Sequence, residues 1–564
     1  METREHWGSH WGFLLATAGA AIGLGNIWKF PYVTGMNGGA AFVLVYLLCV
    51  LTVGLPIMIC ELALGRATRR GAIGAFEFFT PKRSFALDAF AFFVIIVSCV
   101  ITFFGQYGFA VLIAFCGVCM LLFKWKSLGI ISGFIVPAVI LSYYCVIGGW
   151  TLIYIVKAVT GGLTFTTQAG AEAVMKPILE APKSAWGMII SAHLIFITIT
   201  GSILLFGVKK GIERFSKFLM PFLFVLLVIL LLRSITLPNA SKGIRFFLYP
   251  DFSKLSAEGV LIAMGHAFFT LSLAMGITIT YGSYLKKQTN LVKSSLTVIL
   301  LDTSAAIMAG LAIFPAVFAM GFEPTRGPSL TFEILPAAFN LIPGGGIFWN
   351  TLFFLMLFIA ALTSSMSLCE VVANTGIEQF KMPRKLAVGL TVFCCGLLGL
   401  LPALSIANWD NLPWLYDFFN ASFPSTGGSM FDAMDSVCSD WLLPIGGLLI
   451  TGYVGWIWGT RHALKEIRKG SSYHLDTNIF LLAAGLRGER GYNIHNQIST
   501  PAVLWAVFVR WVTPILLFFA FLYSIGLIKF QVPEVLAHNE KPAVVQQVQP
   551  PDFTEKGFVE SVKK

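Results

Sequence analysis

The sequence predicts an all-α membrane protein with about thirteen transmembrane helices, on three observations. Hydrophobic residues make up 57% of its 564 residues and charged residues 12%, and the mean hydropathy is +0.80. That composition leaves too little polar surface for a water-soluble globule of this length. Apolar stretches long enough to cross a hydrocarbon core of about 30 Å also recur along the chain, and inside lipid such stretches must be helical.

The apolar stretches can be read directly from the sequence. They cover residues 14–23, 41–64, 130–156, 186–207, 218–236, 347–372, 385–403, 441–458 and 502–528. The first lacks the basic start and small-residue cleavage site of a signal peptide, because it runs directly into Asn26 and Pro31. We therefore expect it to remain as a transmembrane helix.

Positive charge is concentrated in short loops between these stretches. The net charge of +11 would suit a nucleic-acid partner, but the basic residues follow the positive-inside pattern of membrane proteins instead. The clusters are Arg66/Arg69/Arg70, Lys209/Lys210/Arg214, Lys286/Lys287 and Lys381/Arg384/Lys385. This pattern predicts a multi-pass protein of the plasma membrane (the inner membrane if bacterial), with a cytoplasmic N-terminus and no nucleic acid as partner.

We interpret residues 1–564 as a single transporter domain. Residues 85–123 are predicted to form an inserted transmembrane hairpin with both ends on the cytoplasmic side, since basic residues flank it. The polar segment 461–500 is predicted to be a cytoplasmic loop. Residues 530–564 have the composition of a disordered tail.

Cysteines and possible catalytic groups point to no enzyme. Nearly all of the ten cysteines fall within apolar stretches, so we expect free thiols that pack like small apolar residues. Cys116 and Cys119 have metal-ligand spacing, but no second Cys or His pair accompanies them. No nucleophile, base and orienting residue occur together at motif spacing.

Two apolar segments in corresponding halves of the chain are interrupted by small residues, over 18–26 and 270–276. Close helix packing through small residues would explain one such motif. Two of them, about five spans apart, favour a binding site at the middle of the membrane. Unwound backbone there offers carbonyl groups to cations and helix N-termini to a carboxylate.

Several motifs resemble the neurotransmitter:sodium symporter family, in particular its bacterial amino-acid transporters, such as the bacterial leucine transporter. They are Arg4-Glu5-His6-Trp7, the run from Gly23 to Tyr32, Asn37 to Phe42, Glu61 to Arg66, Gly211 to Arg214, Phe268 to Leu273 and Leu362 to Ser365. The resemblance implies an inverted five-helix repeat with broken first and sixth core helices. It covers nearly the whole chain except 85–123 and the tail.

The resemblance also implies one or two sodium sites built from oxygen ligands, which suit a hard cation. The first would use the Ala21 carbonyl with Asn26, Thr270 and Asp302, completed by the substrate carboxylate. The second would use backbone oxygens of Gly19, Ile22 and Ala360 with the hydroxyls of Thr363 and Ser364. Bonding of those two hydroxyls to their own helix is the structural alternative.

Asp302 departs from the family pattern, because the bacterial leucine transporter has a neutral amide there. Chloride-dependent members place hydrogen-bond donors around this position. The matching residues here are Tyr46, His266, Thr270, Asp302 and Ala306. Ala306 cannot donate and Asp302 supplies its own negative charge, so we predict chloride-independent transport. His266 could exchange protons with Asp302, or could be a neutral, hydrogen-bonded histidine.

The substrate pocket that the resemblance implies is mostly apolar. It comprises Ala20, Ala21, Gly23, Leu24, Gly25, Ile140, Tyr144, Phe269, Ser272, Ala274, Met275, Ser364 and Leu368. Gly23 stands where monoamine transporters carry an aspartate, so an apolar or aromatic amino acid is expected instead. Tyr144 is expected to bind the substrate carboxylate through its hydroxyl, with packing between helices as the alternative.

The gates follow from the same comparison. Lys29 and Asp435 would pair on the outer side under a lid formed by Phe269, and Arg4 would pair with Glu378 on the inner side, supported by Tyr284. Glu61 is expected to hydrogen-bond the unwound backbone near Ser272, because an unpaired buried carboxylate would be too costly.

The function expected from these features is sodium-coupled symport of an amino acid by alternating access. The alternative is an amino-acid sensor of the same fold that binds its ligand without transporting it. A channel fits less well, because a closed pocket between two gates suits alternating access better than conduction.

Overall fold

A computed structural model describes residues 5–79, 117, 125–165, 168–179, 183–237, 239–319, 321, 330–340, 345–405, 430–469 and 500–524. The regular elements within these ranges are helices. In chain order they are α1 (His10–Ala21), α2 (Gly25–Met36), α3 (Ala40–Thr68), α4 (Ala72–Phe78), α5 (Lys126–Val159), α6 (Gln168–Leu179), α7 (Trp186–Leu204), α8 (Val208–Ile235), α9 (Ala240–Leu248), α10 (Ala257–Thr270), α11 (Ile277–Ser283), α12 (Leu291–Ala319), α13 (330–340), α14 (Gly346–Phe380), α15 (Arg384–Ser405), α16 (Met430–Ile467) and α17 (Ala502–Tyr523).

Nine helices of the described ranges are each long and apolar enough to cross a bilayer. They are α3, α5, α7, α8, α12, α14, α15, α16 and α17. The all-α membrane fold predicted from composition is thereby confirmed. The described residues do not reach the predicted count of thirteen, because the expected hairpin at 85–123 lies outside them apart from Gly117. The expected tail at 530–564 also lies outside them.

The first core helix is broken between α1 and α2. The helix ends at Ala21 and resumes at Gly25, and the two halves are bent by 47°. Ile22, just beyond α1, has a ψ of 87°, which no helix adopts. The break falls within the small-residue segment from which it was predicted.

The sixth core helix is broken between α10 and α11. Ser272 (φ 53°), Ala274 (φ 60°) and Gly276 (φ 68°) all adopt the left-handed region between its halves. That region is unfavourable for residues other than glycine, so other contacts must stabilise it. The Ser272 hydroxyl donates to the Ala20 carbonyl at 2.8 Å, which ties the two broken helices together.

Wide π-helical turns recur at prolines. Six such turns end two residues before a proline, since they end at Lys29, Gly54, Ile135, Ile334, Leu442 and Val512. Proline has no N–H to donate, and its ring collides with the carbonyl one turn earlier. A wider turn absorbs that collision without ending the helix.

Helix α14 lies at the centre of the fold. Of its most apolar stretch, 89% is buried by neighbouring helices, against 33% for α8. It packs against α5 and α1, so its middle faces the first break. This arrangement brings residues from α1, α5, α10 and α14 to one place inside the membrane.

Candidate functional site

A cluster of three polar side chains lies at the two breaks. The Asn26 amide donates to Asp302 Oδ1 at 2.9 Å. The Thr270 hydroxyl lies 3.0 Å from Asn26 Oδ1 and 3.1 Å from Asp302 Oδ1. All three side chains are buried. The Thr270 hydroxyl of α10 therefore lies within hydrogen-bond distance of an amide oxygen from α2 and a carboxylate oxygen from α12.

No basic residue of the described chain pairs with the carboxylate of Asp302, which is fully buried. Its partners are neutral: Asn26, Thr270 and the Tyr46 hydroxyl, which donates to Oδ2 at 3.3 Å. No ion pair to Asp302 occurs within the described ranges. A buried, ionised carboxylate without a counter-charge is costly, so this geometry suits a bound cation that is held by oxygen ligands.

A second group of oxygens lies where α1 meets α14. The Ser364 hydroxyl donates to the carbonyls of Gly19 (3.1 Å) and Ala20 (3.0 Å). A Cβ added at Gly19 would lie 3.2 Å from Thr363 Cβ. The Thr363 hydroxyl points to its own helix, 3.1 Å from the Ala360 carbonyl. Ser364 thus reaches across to α1, whereas Thr363 makes the intrahelical bond weighed as its alternative.

The surroundings of Asp302 differ from what a chloride site requires. The Tyr46 hydroxyl is engaged by Asp302, and Ala306 is fully buried without a donor. His266 stacks on Phe30 at 5.7 Å between ring centroids, and neither of its ring nitrogens has a hydrogen-bond partner. The hydrogen-bonded histidine expected as one alternative is therefore not observed, because aromatic rings rather than polar groups surround it.

A small cavity lies beside both oxygen groups. Its lining includes eleven of the thirteen residues predicted for the substrate pocket, together with Thr270. They are Ala20, Ala21, Gly23, Gly25, Ile140, Tyr144, Phe269, Ser272, Met275, Ser364 and Leu368. Apolar side chains dominate, with a few polar atoms at the end near the breaks, which is typical of pockets for small organic ligands.

The other two predicted pocket residues take different positions. The Leu24 backbone N–H donates to the Tyr144 hydroxyl at 2.9 Å. Ala274 turns its side chain towards α16, where a Cβ at Gly446 would lie 2.9 Å from Ala274 Cβ. The Ala274 N–H donates to Glu61 Oε1 at 2.7 Å, and Thr278 donates to Glu61 Oε2. The expected bond between Glu61 and the unwound backbone is thereby confirmed.

Gly23 leaves room for the hydroxyl groups at the polar end of the cavity. A Cβ at this position would lie 2.6 Å from the Tyr144 hydroxyl oxygen and 3.1 Å from Ser364 Cβ. Such distances are too short for real contacts, so any side chain would displace Tyr144 or Ser364. The Tyr144 hydroxyl can therefore stay next to the first break, where it accepts from the Leu24 N–H.

Lys29 and Asp435, the residues predicted as the outer gate, form an ion pair. Lys29 Nζ lies 2.9 Å from Asp435 Oδ2 and 4.9 Å from the centre of the Phe269 ring. Two residues that the sequence did not single out complete it: Tyr143 and Ser439 donate to Asp435 Oδ1 at 3.0 and 2.9 Å. The only sequence signal for Tyr143 was its position next to Tyr144.

On the inner side, Tyr284 takes part in a different set of contacts. Its hydroxyl lies 2.9 Å from Glu370 Oε1 and 3.2 Å from Asn374 Oδ1. Glu378 accepts from the Gly71 N–H at 2.7 Å, and its expected partner Arg4 lies outside the described residues. The described chain therefore leaves the expected Arg4–Glu378 pair untested.

An ion-pair network that sequence reasoning missed lies next to Tyr284. Arg384 lies 2.6 Å from the fully buried Glu370 and 3.4 Å from Glu5. Trp7 packs against Tyr284, with ring centroids 6.2 Å apart. Glu370 is thus held by a cation and by the Tyr284 hydroxyl.

Two broken helices, with oxygen clusters suited to cations beside a mostly apolar pocket, are typical of an ion-coupled membrane transporter. The chain belongs to the sodium:neurotransmitter symporter family, which matches residues 4–123 and 178–474. This is a family of transporters rather than of enzymes, and its members depend on sodium.

Similar proteins agree with this assignment. The sodium-dependent transporter YhdH of Bacillus subtilis is 34% identical over 93% of this chain and 98% of the relative. A sodium-dependent transporter of Haemophilus influenzae is 32% identical over 80% of this chain and 89% of its own length. The crystal structure of MhsT in complex with L-phenylalanine matches with a TM-score of 0.72 and 35% identity, covering 93% of this chain and all of that chain.

Proposed function

We propose that this protein imports an apolar or aromatic amino acid together with one or two sodium ions, without a requirement for chloride. The observation that carries the proposal is the contact between the polar cluster and the cavity, because Thr270 belongs to both. An amino-acid carboxylate at the polar end of the cavity would lie next to a cation at Asp302. Each charge then stabilises the other where water is excluded, which couples the two binding events.

The composition of the cavity supports an apolar or aromatic side chain on the substrate. Ile140, Phe269, Met275 and Leu368 line it, and no charged residue does. Gly23 leaves no acidic group to pair with an amine that lacks a carboxylate. MhsT, at 35% identity, was crystallised with L-phenylalanine, an amino acid of this class.

Chloride independence is proposed from the charge of Asp302. A fixed carboxylate supplies the negative charge that chloride would otherwise bring to the first sodium site. Two sodium ions would use the Asn26/Thr270/Asp302 cluster and the oxygens near Ser364. At about 100 mV and a roughly tenfold gradient, each ion provides about 2.3 + 1.4 kcal/mol, which suffices for concentrative uptake.

The remaining proposals concern the arrangement in the membrane. We propose that the N-terminus and the basic loops are cytoplasmic, that 461–500 is a cytoplasmic loop and 530–564 a disordered tail. The hairpin at 85–123 is proposed as an addition to one transporter domain that spans the whole chain. The Lys29–Asp435 pair then faces the outside and the Arg384–Glu370 pair the inside, so the substrate enters past the former.

The test is uptake of labelled amino acids into proteoliposomes, with an inward sodium gradient or with potassium replacing sodium, each in chloride and in gluconate. We expect sodium-dependent accumulation of leucine, phenylalanine or a similar amino acid that is equal in both anions. Sodium-dependent binding in detergent without accumulation or counterflow would show a sensor instead. Accumulation that fails in gluconate would refute the assigned role of Asp302.

A further inference from the structure

An arginine for which the described residues supply no counter-charge lies within α17, the last helix of the described ranges. Arg510 belongs to α17, an apolar span of 22 residues, where a charged side chain is energetically costly. No ion pair of Arg510 occurs within the described ranges, and its Nε is buried without an acceptor. An anion from outside the described chain would offset the cost of placing this charge in the span.

The side chain is held in a defined position against α16. The guanidinium carbon lies 4.0 Å from the centre of the Trp456 ring, a close cation–π contact. Trp511 meets Trp456 edge-on, with ring centroids 5.1 Å apart and an interplanar angle of 86°. A Cβ at Gly455 would lie 3.3 Å from Arg510 Cγ, so the stem packs on the backbone of α16.

Arg510 also lies on a π-helical turn, Phe508–Val512, which precedes Pro514. The extra residue in such a turn rotates the side chains that follow relative to a regular helix. The local proline thus helps to set the direction in which the arginine leaves α17. A site built from a wide turn, two indole rings and a glycine is more ordered than a solvated surface arginine.

The end of α16 indicates how deep Arg510 and the two indole rings lie in the membrane. Gly459 has a φ of +84°, and the turns after it (Thr460–Ile467) are amphipathic, with Ala463 buried and Lys465 exposed. Such turns lie along a membrane surface. Trp456 precedes Gly459 by three residues, so it lies about 4.5 Å further into the membrane along the helix.

The two indole rings face outward at this depth. Trp456 is 50% exposed and Trp511 43% exposed, although both belong to transmembrane helices. Tryptophan concentrates where hydrocarbon meets the headgroups. The guanidinium therefore lies just below the headgroup level, within reach of a phosphate when its long stem extends towards the surface.

We propose that Arg510, Trp456 and Trp511 form a binding site for the phosphate of an anionic phospholipid. The guanidinium can donate two parallel hydrogen bonds to one phosphate, and the indole rings can pack against the first acyl carbons. No acidic residue of α16 or α17 competes. Glu466 pairs with Arg66, and Asp432, Asp435 and Asp440 lie at the opposite end of α16. The positive charge of the guanidinium favours a lipid with a net negative charge.

The experiment uses the full-length protein in detergent, titrated with phosphatidylglycerol or phosphatidylcholine and followed by native mass spectrometry. The variants are Arg510→Gln, Arg510→Lys and Trp456→Leu. Lys465→Gln serves as a matched control, because it removes one positive charge from the same membrane surface without touching the indole rings. Inorganic phosphate and glycerol 3-phosphate are added as competitors.

We expect the first phosphatidylglycerol to bind Arg510→Gln about fivefold to tenfold more weakly than the unchanged protein. Arg510→Lys keeps the positive charge but loses the two parallel hydrogen-bond donors of the guanidinium, so its lipid affinity should lie between those of Arg510→Gln and the unchanged protein. Lys465→Gln should bind within about twofold of the unchanged protein. Phosphatidylcholine should bind the unchanged protein more weakly than phosphatidylglycerol. Neither soluble phosphate should compete, since neither can enter the lipid layer.

Equal phosphatidylglycerol binding by Arg510→Gln and the unchanged protein would overturn the proposal. Displacement of the lipid by inorganic phosphate would overturn it as well, because the ligand would then be a soluble anion. If Arg510→Gln does not fold, Trp456→Leu decides, with an expected loss of about threefold from the missing cation–π contact. Unchanged lipid affinity in that variant would likewise refute the site.

Discussion

Replacing Asp302 with asparagine tests the central feature of the site. The amide has nearly the same shape as the carboxylate and can still accept hydrogen bonds from Asn26 and Thr270, which lie 2.9 and 3.1 Å from Oδ1. What disappears is the negative charge. Interactions with a charged group contribute about 1.5–3 kcal/mol each, and every 1.4 kcal/mol is a factor of about ten. The sodium concentration for half-maximal uptake should therefore rise about tenfold to a hundredfold.

The assay is amino-acid uptake into proteoliposomes over a range of external sodium, at constant ionic strength, in chloride and in gluconate. Tyr46→Phe removes one neutral donor, 3.3 Å from Oδ2, and should change the half-maximal sodium concentration only by a factor of a few. Asp251→Asn changes an exposed acid outside the membrane spans and should have no effect.

Unaltered sodium dependence in Asp302→Asn would refute the reasoning, since the carboxylate would then contribute nothing to sodium binding. So would a loss that is equal in Tyr46→Phe and Asp302→Asn, because a neutral hydrogen bond would then matter as much as the charge.

The other predictions concern the cavity and the inner gate. Gly23→Ala should abolish sodium-dependent binding of labelled amino acid, because its Cβ would collide with the Tyr144 hydroxyl. Gly265→Ala should bind normally, because no atom lies within 4 Å of the new Cβ. Equal binding by both variants would contradict this prediction. Arg384→Gln leaves Glu370 buried without a cation, which costs about 3–5 kcal/mol. The melting temperature of this variant should therefore fall clearly. The double variant Arg384→Gln/Glu370→Gln should recover part of the lost stability. A double variant less stable than Arg384→Gln alone would show that the charge pair is not the cause.

The transmembrane helices and both breaks were predictable from the sequence. Length and hydropathy indicate a helix wherever lipid leaves the backbone no other hydrogen-bond partner, and small residues over 18–26 and 270–276 mark where the helices open. The hydrogen bond from the unwound segment to Glu61 was also expected, since a carboxylate cannot remain unpaired in an apolar span. The helices and the breaks depend on one segment and its solvent alone, whereas the Glu61 bond joins two segments and was expected only from the cost of an unpaired carboxylate.

Contacts between distant segments were decided by the tertiary structure. The sequence suggested Asp435 as a partner of Lys29, but only the approach of α5 adds Tyr143 to that pair. Ala274 was expected in the pocket, yet its positive φ directs its side chain towards α16 instead.

The pairing of Glu370 with Arg384, and of Arg510 with Trp456, likewise has no local signal. Glu370 and Arg384 are 14 positions apart, and one helix ends and the next begins within that interval. Trp456 and Arg510 also belong to different helices. Which polar groups meet inside the membrane depends on how the helices rotate and cross. Packing of the whole bundle sets those rotations, so hydrophobicity and spacing within a single segment cannot reveal them.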